Sequence, residues 1–232
     1  MLLRVAWLLI PAAAAWITEL GGTLKTDNSG RVTEANFRST WIDDSDLRRV
    51  GALPDLLSLS LAHTRITDLG FRELKTLGSV TDLDLYYAEQ IGDGALTVVR
   101  NWKQLRRLNL RGTKITDAGV AQLAEHPTLE VLDVGFTLFT DGGFDPLTSM
   151  PNLRELAAGG NKITDAGLSF LRSMPKLRRL DLRGTQRTDS GLWAAAVTDR
   201  GAESIATLQE LEELRLSNAK LSEAALARLK AL

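Results

Sequence analysis

Between Leu105 and Thr128 the chain reads LRRLNLRGTKITDAGVAQLAEHPT, and its apolar positions change spacing halfway. Leu108 and Leu110 alternate with the polar Arg107, Asn109 and Arg111, the two-residue period of a short strand with one wet face. From Val120 and Leu123 the spacing becomes helical, and it stops at His126-Pro127. The join, Ile115-Thr116-Asp117-Ala118-Gly119-Val120, is a helix start. Thr116 suits the N-cap, with Asp117 as the alternative cap; the acid falls in the first turn, and Ile115 and Val120 take the staple positions. One strand, one turn and one short helix cannot bury both of their apolar faces, whereas stacked copies can.

The same grammar recurs along the chain. Leu105, Leu129, Leu153 and Leu177 are spaced 24 residues apart, the frame runs back to Leu56 and Val32, and the copy that starts at Val80 holds one residue more. That extra residue, beside Tyr86 and Tyr87, predicts a bulge at the strand exit. The helix start returns as Ile66-Thr67-Asp68, Phe139-Thr140-Asp141 and Ile163-Thr164-Asp165, each with glycine two residues after the aspartate. The pattern L-x-x-L-x-L-x-x-T-x-I-T-D-x-G-L resembles the leucine-rich repeat family, in its short bacterial and F-box-associated variants, over roughly Val32 to Leu232.

The resemblance implies an α/β solenoid, a horseshoe or arc with a parallel sheet on the concave face and helices on the convex face. Where many such repeats carry Asn or Cys after the strand, this chain has Thr40, Thr64, Thr113, Thr137, Asn161 and Thr185. These are expected to hydrogen-bond loop backbone between neighbouring coils. Ala88 and Ala219 interrupt the column, which predicts looser second and last copies. F-box relatives serve as ubiquitin-ligase adaptors, but no F-box segment precedes Val32.

The array reads as one domain, residues 32–232, of about eight repeats. Before it, residues 16–37 read as an N-terminal cap: a helix end at Trp16, Ile17 and Leu20 before Gly21-Gly22, then a hairpin turning at Asp27-Asn28-Ser29-Gly30. Residues 1–15 admit two readings. An apolar run after Arg4, closed by Ala13-Ala14-Ala15, is similar to a signal peptide and is shorter than a membrane span, and the same segment can extend the cap or anchor the chain at a membrane through residues 1–17. The corresponding expectation is an exported (periplasmic or extracellular) or membrane-associated bacterial protein, or otherwise a cytoplasmic one. In the sixth copy the helix signal appears at Thr188-Asp189 and again at Thr198-Asp199 with no strand between, so residues near 186–196 read as an insertion. The last copy ends without a polar capping unit, leaving an edge and an apolar face for a partner or a further segment to cover.

Composition narrows the chemistry. A net charge of -1 with no basic stripe gives no footprint for nucleic acid. With no cysteine there are neither disulfides nor thiolate metal sites, and redox compartment stays open. Both histidines fit the repeat: His126 stands in the helix-end column of Leu77 and Met150, as does Trp102, and His63 precedes Thr64 at a strand exit with no triad or metal partner in pattern. The Thr-Asp pairs recur too regularly for chemistry needed once. Gly142-Gly143 and Gly159-Gly160 lack a phosphate-cradling context; the second pair suits a crowded strand exit. We therefore expect no enzyme activity, no cofactor and no metal.

Surface remains. The outward strand positions of the central copies and their rim are Asp82, Asp84, Tyr86, Tyr87, Arg107, Asn109, Arg111, Val131, Asp133 and Phe136. Strands lie about 4.8 Å apart, which makes this a compact patch of arginine, acid and aromatic side chains, and arginines and aromatics are enriched among the residues that dominate interface energies. The expected function is a scaffold that binds another protein through its concave face. The competing reading of the charges is cross-strand pairing for solubility, for instance Asp84 with Arg107. The competing function is a structural subunit of a larger, membrane-attached assembly, docked through the uncapped C-terminal end and the N-terminal apolar segment.

Overall fold

The computed structural model describes residues 15–184, 186–188, 191–193, 196–217 and 219–230. The leader expected at residues 1–15 thus lies almost wholly outside the described residues, as does Thr185. No helix among the described residues is long and apolar enough to cross a membrane.

The described chain opens with helix α1 (Ala15–Glu19), then strands β1 (Thr23–Thr26) and β2 (Val32–Asn36), which pair antiparallel. The solenoid follows: α2 (Leu47–Val50), β3 (Ser58–Ser60), α3 (Asp68–Phe71), β4 (Asp82–Asp84), α4 (Asp93–Val99), β5 (Arg107–Asn109), α5 (Asp117–Ala121), β6 (Val131–Asp133), α6 (Phe144–Leu147), β7 (Glu155–Ala157), α7 (Asp165–Leu168) and β8 (Arg179–Asp181). Next come β9 (Gln186–Thr188) and β10 (Gly191–Trp193), a separate antiparallel pair on the stretch expected as an insertion. Helix α8 (Asp199–Ile205), β11 (Glu213–Arg215) and α9 (Glu223–Leu229) complete the chain. The main sheet runs β1 to β8 and then β11; from β2 onward every pairing is parallel.

Each solenoid strand is three residues long, and its middle residue faces inward. The register lines up Leu59, Leu83, Leu108, Leu132, Leu156 and Leu180 as neighbours, all at most 2% exposed. At about 1.5–3 kcal/mol for each fully buried leucine, this row and its flanking leucines are the main cohesive term between coils. At the N-terminal end Trp16 stacks on Phe37 at 5.6 Å, and Arg49 lies 4.2 Å from the centre of the Trp16 ring. On the helix side Trp102 stacks on Phe71, buried as packing.

The T-D-x-G motif turns out to be a lock between coils. Thr116 caps α5, its hydroxyl accepting from the Ala118 N–H at 3.2 Å. Asp117, the alternative cap, instead turns to the next coil, where its two oxygens accept from the Thr140 N–H and the Thr140 hydroxyl. The arrangement repeats from Asp44 to Thr67, Asp93 to Thr116, Asp141 to Thr164 and Asp165 to Thr198. Where the cap is Gly92, Asp68 accepts from the Gly92 and Gly94 N–H groups. The motif glycine makes room for this: a Cβ on Gly119 would sit 2.1 Å from an Asp93 oxygen, and one on Gly167 2.5 Å from an Asp141 oxygen.

Three expectations need correcting. The hydroxyl column bonds within its own coil: Thr64 to the Leu61 carbonyl, Thr113 to Leu110 and Thr137 to Val134. Asn161, one atom longer, does reach back, accepting from the Thr137 N–H and donating to the Val134 carbonyl. The second copy is not looser at Ala88, which is fully buried and keeps the backbone turn, its N–H on the Leu85 carbonyl at 2.9 Å. Nor does its extra residue bulge the strand exit, since the Tyr87 N–H still pairs with the Arg111 carbonyl; the exposed Glu89 and Gln90 absorb it.

Two outcomes follow for stability. Asp117→Ala strips a charge-assisted pair from a neighbouring coil and should lower the unfolding free energy by about 2–3 kcal/mol in urea titrations. Gly119→Ala should do comparable damage, whereas Gly78→Ala, whose added Cβ meets nothing within 4 Å, should be close to neutral. His126 is 2% exposed, and neither ring nitrogen has a partner in hydrogen-bond geometry. Burial, then the Lys103 charge, push its pKa below the usual value against a weaker upward pull from the Trp102 backbone. Its neutral form is therefore the native one, and the stability this carries is complete above about pH 6.5 and is lost as pH falls through the depressed value. His126→Leu should flatten that acid slope and raise stability at pH 5.5, measured by thermal melts across pH.

Candidate functional site

Three columns of side chains face away from the helices: the first and third residues of each strand and the residue two positions after it. The register sets Arg107 beside Asp82 and Val131, and Asn109 beside Asp84 and Asp133. Accordingly Arg107 pairs with Asp82 at 3.4 Å, not with Asp84. Asp84 instead accepts from the Ser60 hydroxyl at 3.0 Å and lies 3.9 Å from Arg38.

The third-position residues also end their strands. Asp84, Asn109 and Asp133 each accept the backbone N–H two residues on, at Tyr86, Arg111 and Gly135. These are Asx turns, so part of the expected patch holds the fold as well as facing solvent. Burial raises the Asp133 carboxyl above its ordinary value, and Asp181 adds to this, against the Gly135 N–H and the Arg111 guanidinium 3.6 Å away.

Beyond the strands the backbone turns left-handed in seven successive coils, at Ser39, His63, Tyr87, Gly112, Phe136, Gly160 and Gly184. Glycine adopts this conformation freely, while an L side chain is strained there by roughly 1–2 kcal/mol. Three of these positions nonetheless carry rings. Tyr87 packs against His63 at 5.6 Å and Tyr86 at 4.7 Å, and its ring covers Gly112, where a Cβ would lie 2.7 Å from it. The Phe136 ring covers Gly160 and Gly184 in the same way. Arginines lie against the rings, Arg38 at 5.2 Å from Tyr86 and Arg111 at 4.5 Å from Phe136. The expected residues therefore form two clusters, one around Tyr86 and Tyr87 and one around Arg111, Asp133 and Phe136, with the Asp82–Arg107 pair on the strands between.

The sequence reading missed two extensions of this surface. Along the same loop edge Trp41 is 81% exposed with Arg65 5.5 Å from its ring centre, beside a hollow of about 470 Å³ walled by His63, Arg65, Tyr87 and Glu89. A tryptophan outside the apolar period was the available signal. Toward the C-terminal end, Arg179 bridges Glu155 at 3.0 Å and Glu213 at 3.5 Å, while Asp181 binds Arg183 at 2.8 Å and lies 3.7 Å from Arg215. Burial alone would raise Asp181, but the hydrogen bonds from Arg183 and the charges of Arg183 and Arg215 hold it below the usual range. Because Ala157 is short, these groups rim a depression of about 280 Å³. The first- and third-position columns, continued past the central copies, would have named them.

A family model described as Leucine Rich repeat matches residues 104–124 and 149–171. Curated protein sequences return no match. Among solved structures, an internalin C2 from Listeria monocytogenes str. 4b F2365 superposes with a TM-score of 0.65 at 24% identity, over 94% of this chain and 89% of that one. Another internalin of that strain gives 0.55 at 22% identity, over 81% of this chain and 55% of its own length. A leucine-rich repeat protein of Leptospira interrogans gives 0.61 at 19%, over 92% and 57%. The chain thus spans little more than half of two of these relatives, and at such identities the likeness concerns the fold.

The left-handed column makes a quantitative prediction. In urea titrations Tyr87→Gly and Phe136→Gly should each change the unfolding free energy by less than about 1 kcal/mol, since relief of strain offsets lost ring contact. Gly160→Ala should cost at least about 2 kcal/mol, from the same strain plus a clash with the Phe136 ring.

Proposed function

The chain is a leucine-rich repeat protein, and from that premise we propose a non-enzymatic scaffold that grips another protein with its concave face and the aromatic edge beside it. Folds of this class generally serve as protein-binding scaffolds. The observation that carries the reading is the occupancy of the left-handed column. His63, Tyr87 and Phe136 stand where glycine would relieve strain, and the surfaces they build have arginines stacked on them. Rings and arginines are the side chains that most often dominate binding energy. The salt bridges on the strands are exposed and contribute little to stability, which leaves them available for exchange with a partner's charges.

This reading is tested by capture. The Tyr87→Gly/Phe136→Gly/Arg111→Ala variant keeps glycine-compatible backbone at both ring positions, so its fold is expected to survive. Quantitative mass spectrometry after crosslinked pull-down should show the protein held by the wild-type chain reduced at least about tenfold with the variant. Equal capture by a variant with wild-type circular dichroism would remove this face from the account.

A further inference from the structure

The left-handed column advances one coil at a time, and its backbone ladder stays in register. The Ser39 N–H donates to the Ala62 carbonyl at 2.9 Å, the His63 N–H to Tyr86 at 2.8 Å and the Tyr87 N–H to Arg111 at 2.7 Å. Side chains on successive steps are therefore about one strand spacing apart, roughly 4.8 Å. That is close to the separation at which aromatic rings stack. His63 and Tyr87 use it: their ring centres lie 5.6 Å apart, with the planes 17° from parallel. Tyr86 meets the His63 ring edge-on at 5.1 Å and braces it.

The stack stops at Ser39. One coil before His63 the column carries a hydroxymethyl group where the next two steps carry rings, so no third ring continues the stack among the described residues. On that side of His63 lies a hollow of about 280 Å³, with Ser39, Trp41, His63 and Arg65 in its wall. Trp41, 81% exposed, offers a second aromatic surface. Arg65 lies 5.5 Å from the Trp41 ring centre and makes no ion pair among the described residues. Asp43, the acid in the same wall, is already engaged by the Ser45 N–H and hydroxyl at 2.8 and 2.7 Å. The slot thus combines a vacant step in a ring stack with a cation that has no carboxylate of its own.

We propose that this slot receives an aromatic side chain of the partner protein, with a carboxylate beside it in the partner's sequence that pairs with Arg65. The inference rests on the scaffold reading above and names what one pocket of the aromatic edge takes. The guest ring lies on His63 where a ring at position 39 would have stood, extends the His63–Tyr87 stack by one member and meets Trp41 at its side. An aliphatic side chain fills the same space without using the π surfaces. A nucleobase would use them, but the phosphates that accompany it call for a basic stripe, and the chain has a net charge of -1.

Nuclear magnetic resonance titration of the full chain tests this. Acetyl-Tyr-Glu-amide is expected to shift the His63 ring and Trp41 indole resonances saturably, while acetyl-Leu-Glu-amide and acetyl-Tyr-Lys-amide should each bind about threefold more weakly or worse. His63→Gly, at a position where glycine is unstrained, and Trp41→Ala, which removes an exposed ring, should each weaken the tyrosine peptide by about threefold to tenfold. Ser39→Tyr places the chain's own ring in the slot and should abolish the titration. His63, Tyr87 and Phe136 carry rings at the same left-handed step, so the fold is expected to keep its wild-type circular dichroism. Ser39→Gly leaves the slot open and should bind like the wild type. The proposal is overturned by the absence of a saturable shift, by equal binding of the leucine peptide, by binding indifferent to Ser39→Tyr, or by tighter binding of a single-stranded oligothymidylate at the same resonances. The scaffold reading is judged apart: partner capture that survives Ser39→Tyr but is lost in the Tyr87→Gly/Phe136→Gly/Arg111→Ala variant sinks the slot and leaves the concave face standing.

Discussion

Everything in this molecule depends on a carboxylate being satisfied by a coil other than its own. An aspartate at the first turn of a short helix has backbone N–H groups within reach, and in an isolated helix it would serve them. Here the threonine before it takes that role, and the aspartate extends sideways to the threonine one coil on. A repeat alone would thus hold a half-satisfied carboxylate and an orphaned helix start, and the next repeat resolves both. This is directional coupling: each coil supplies the acceptor and its successor supplies the donors. Combined with the inward leucine row, it fixes the offset between coils, because sliding by one residue would break the charged hydrogen bonds and expose every leucine together.

The period, the strand and helix phases and the threonine caps were legible from residues because each is a local pattern. The destination of the aspartate oxygens was not, since the recipient lies 23 residues away and nothing in Thr-Asp distinguishes a cap from a strut. The glycine of the motif was visible as a repeat feature, yet its reason appears when the previous coil's carboxylate is seen in the space a Cβ would fill. The hydroxyl column was misdirected for a similar cause. The left-handed residue before each threonine folds the chain back, so the carbonyl three residues earlier is the nearest acceptor and the neighbouring coil is out of reach for a side chain as short as threonine.

The face expected to bind a partner was read from column positions, and those columns are real, but their charges are shared between jobs. Asp84, Asn109 and Asp133 each terminate a strand as well as facing solvent. Arg107 finds Asp82 because register, not sequence proximity to the tyrosines, decides its neighbour. The aromatic edge was half legible: Tyr86, Tyr87 and Phe136 stood out by type, while Trp41 and the arginines that lie on the rings needed the coils to be stacked before their adjacency could be seen.

The column of left-handed residues has a consequence for how such a surface can change over time. At seven successive coils the fold dictates the handedness of the backbone but leaves the identity of the side chain open, as serine, histidine, tyrosine, phenylalanine and glycine all stand there. Exchanging a ring for a hydrogen at one of these points gives up ring contacts but also relieves backbone strain, so the cost to the stack is expected to be small. The edge therefore behaves like a keyboard whose keys can be pressed or released one at a time, so that the surface it presents can change while the architecture stays still.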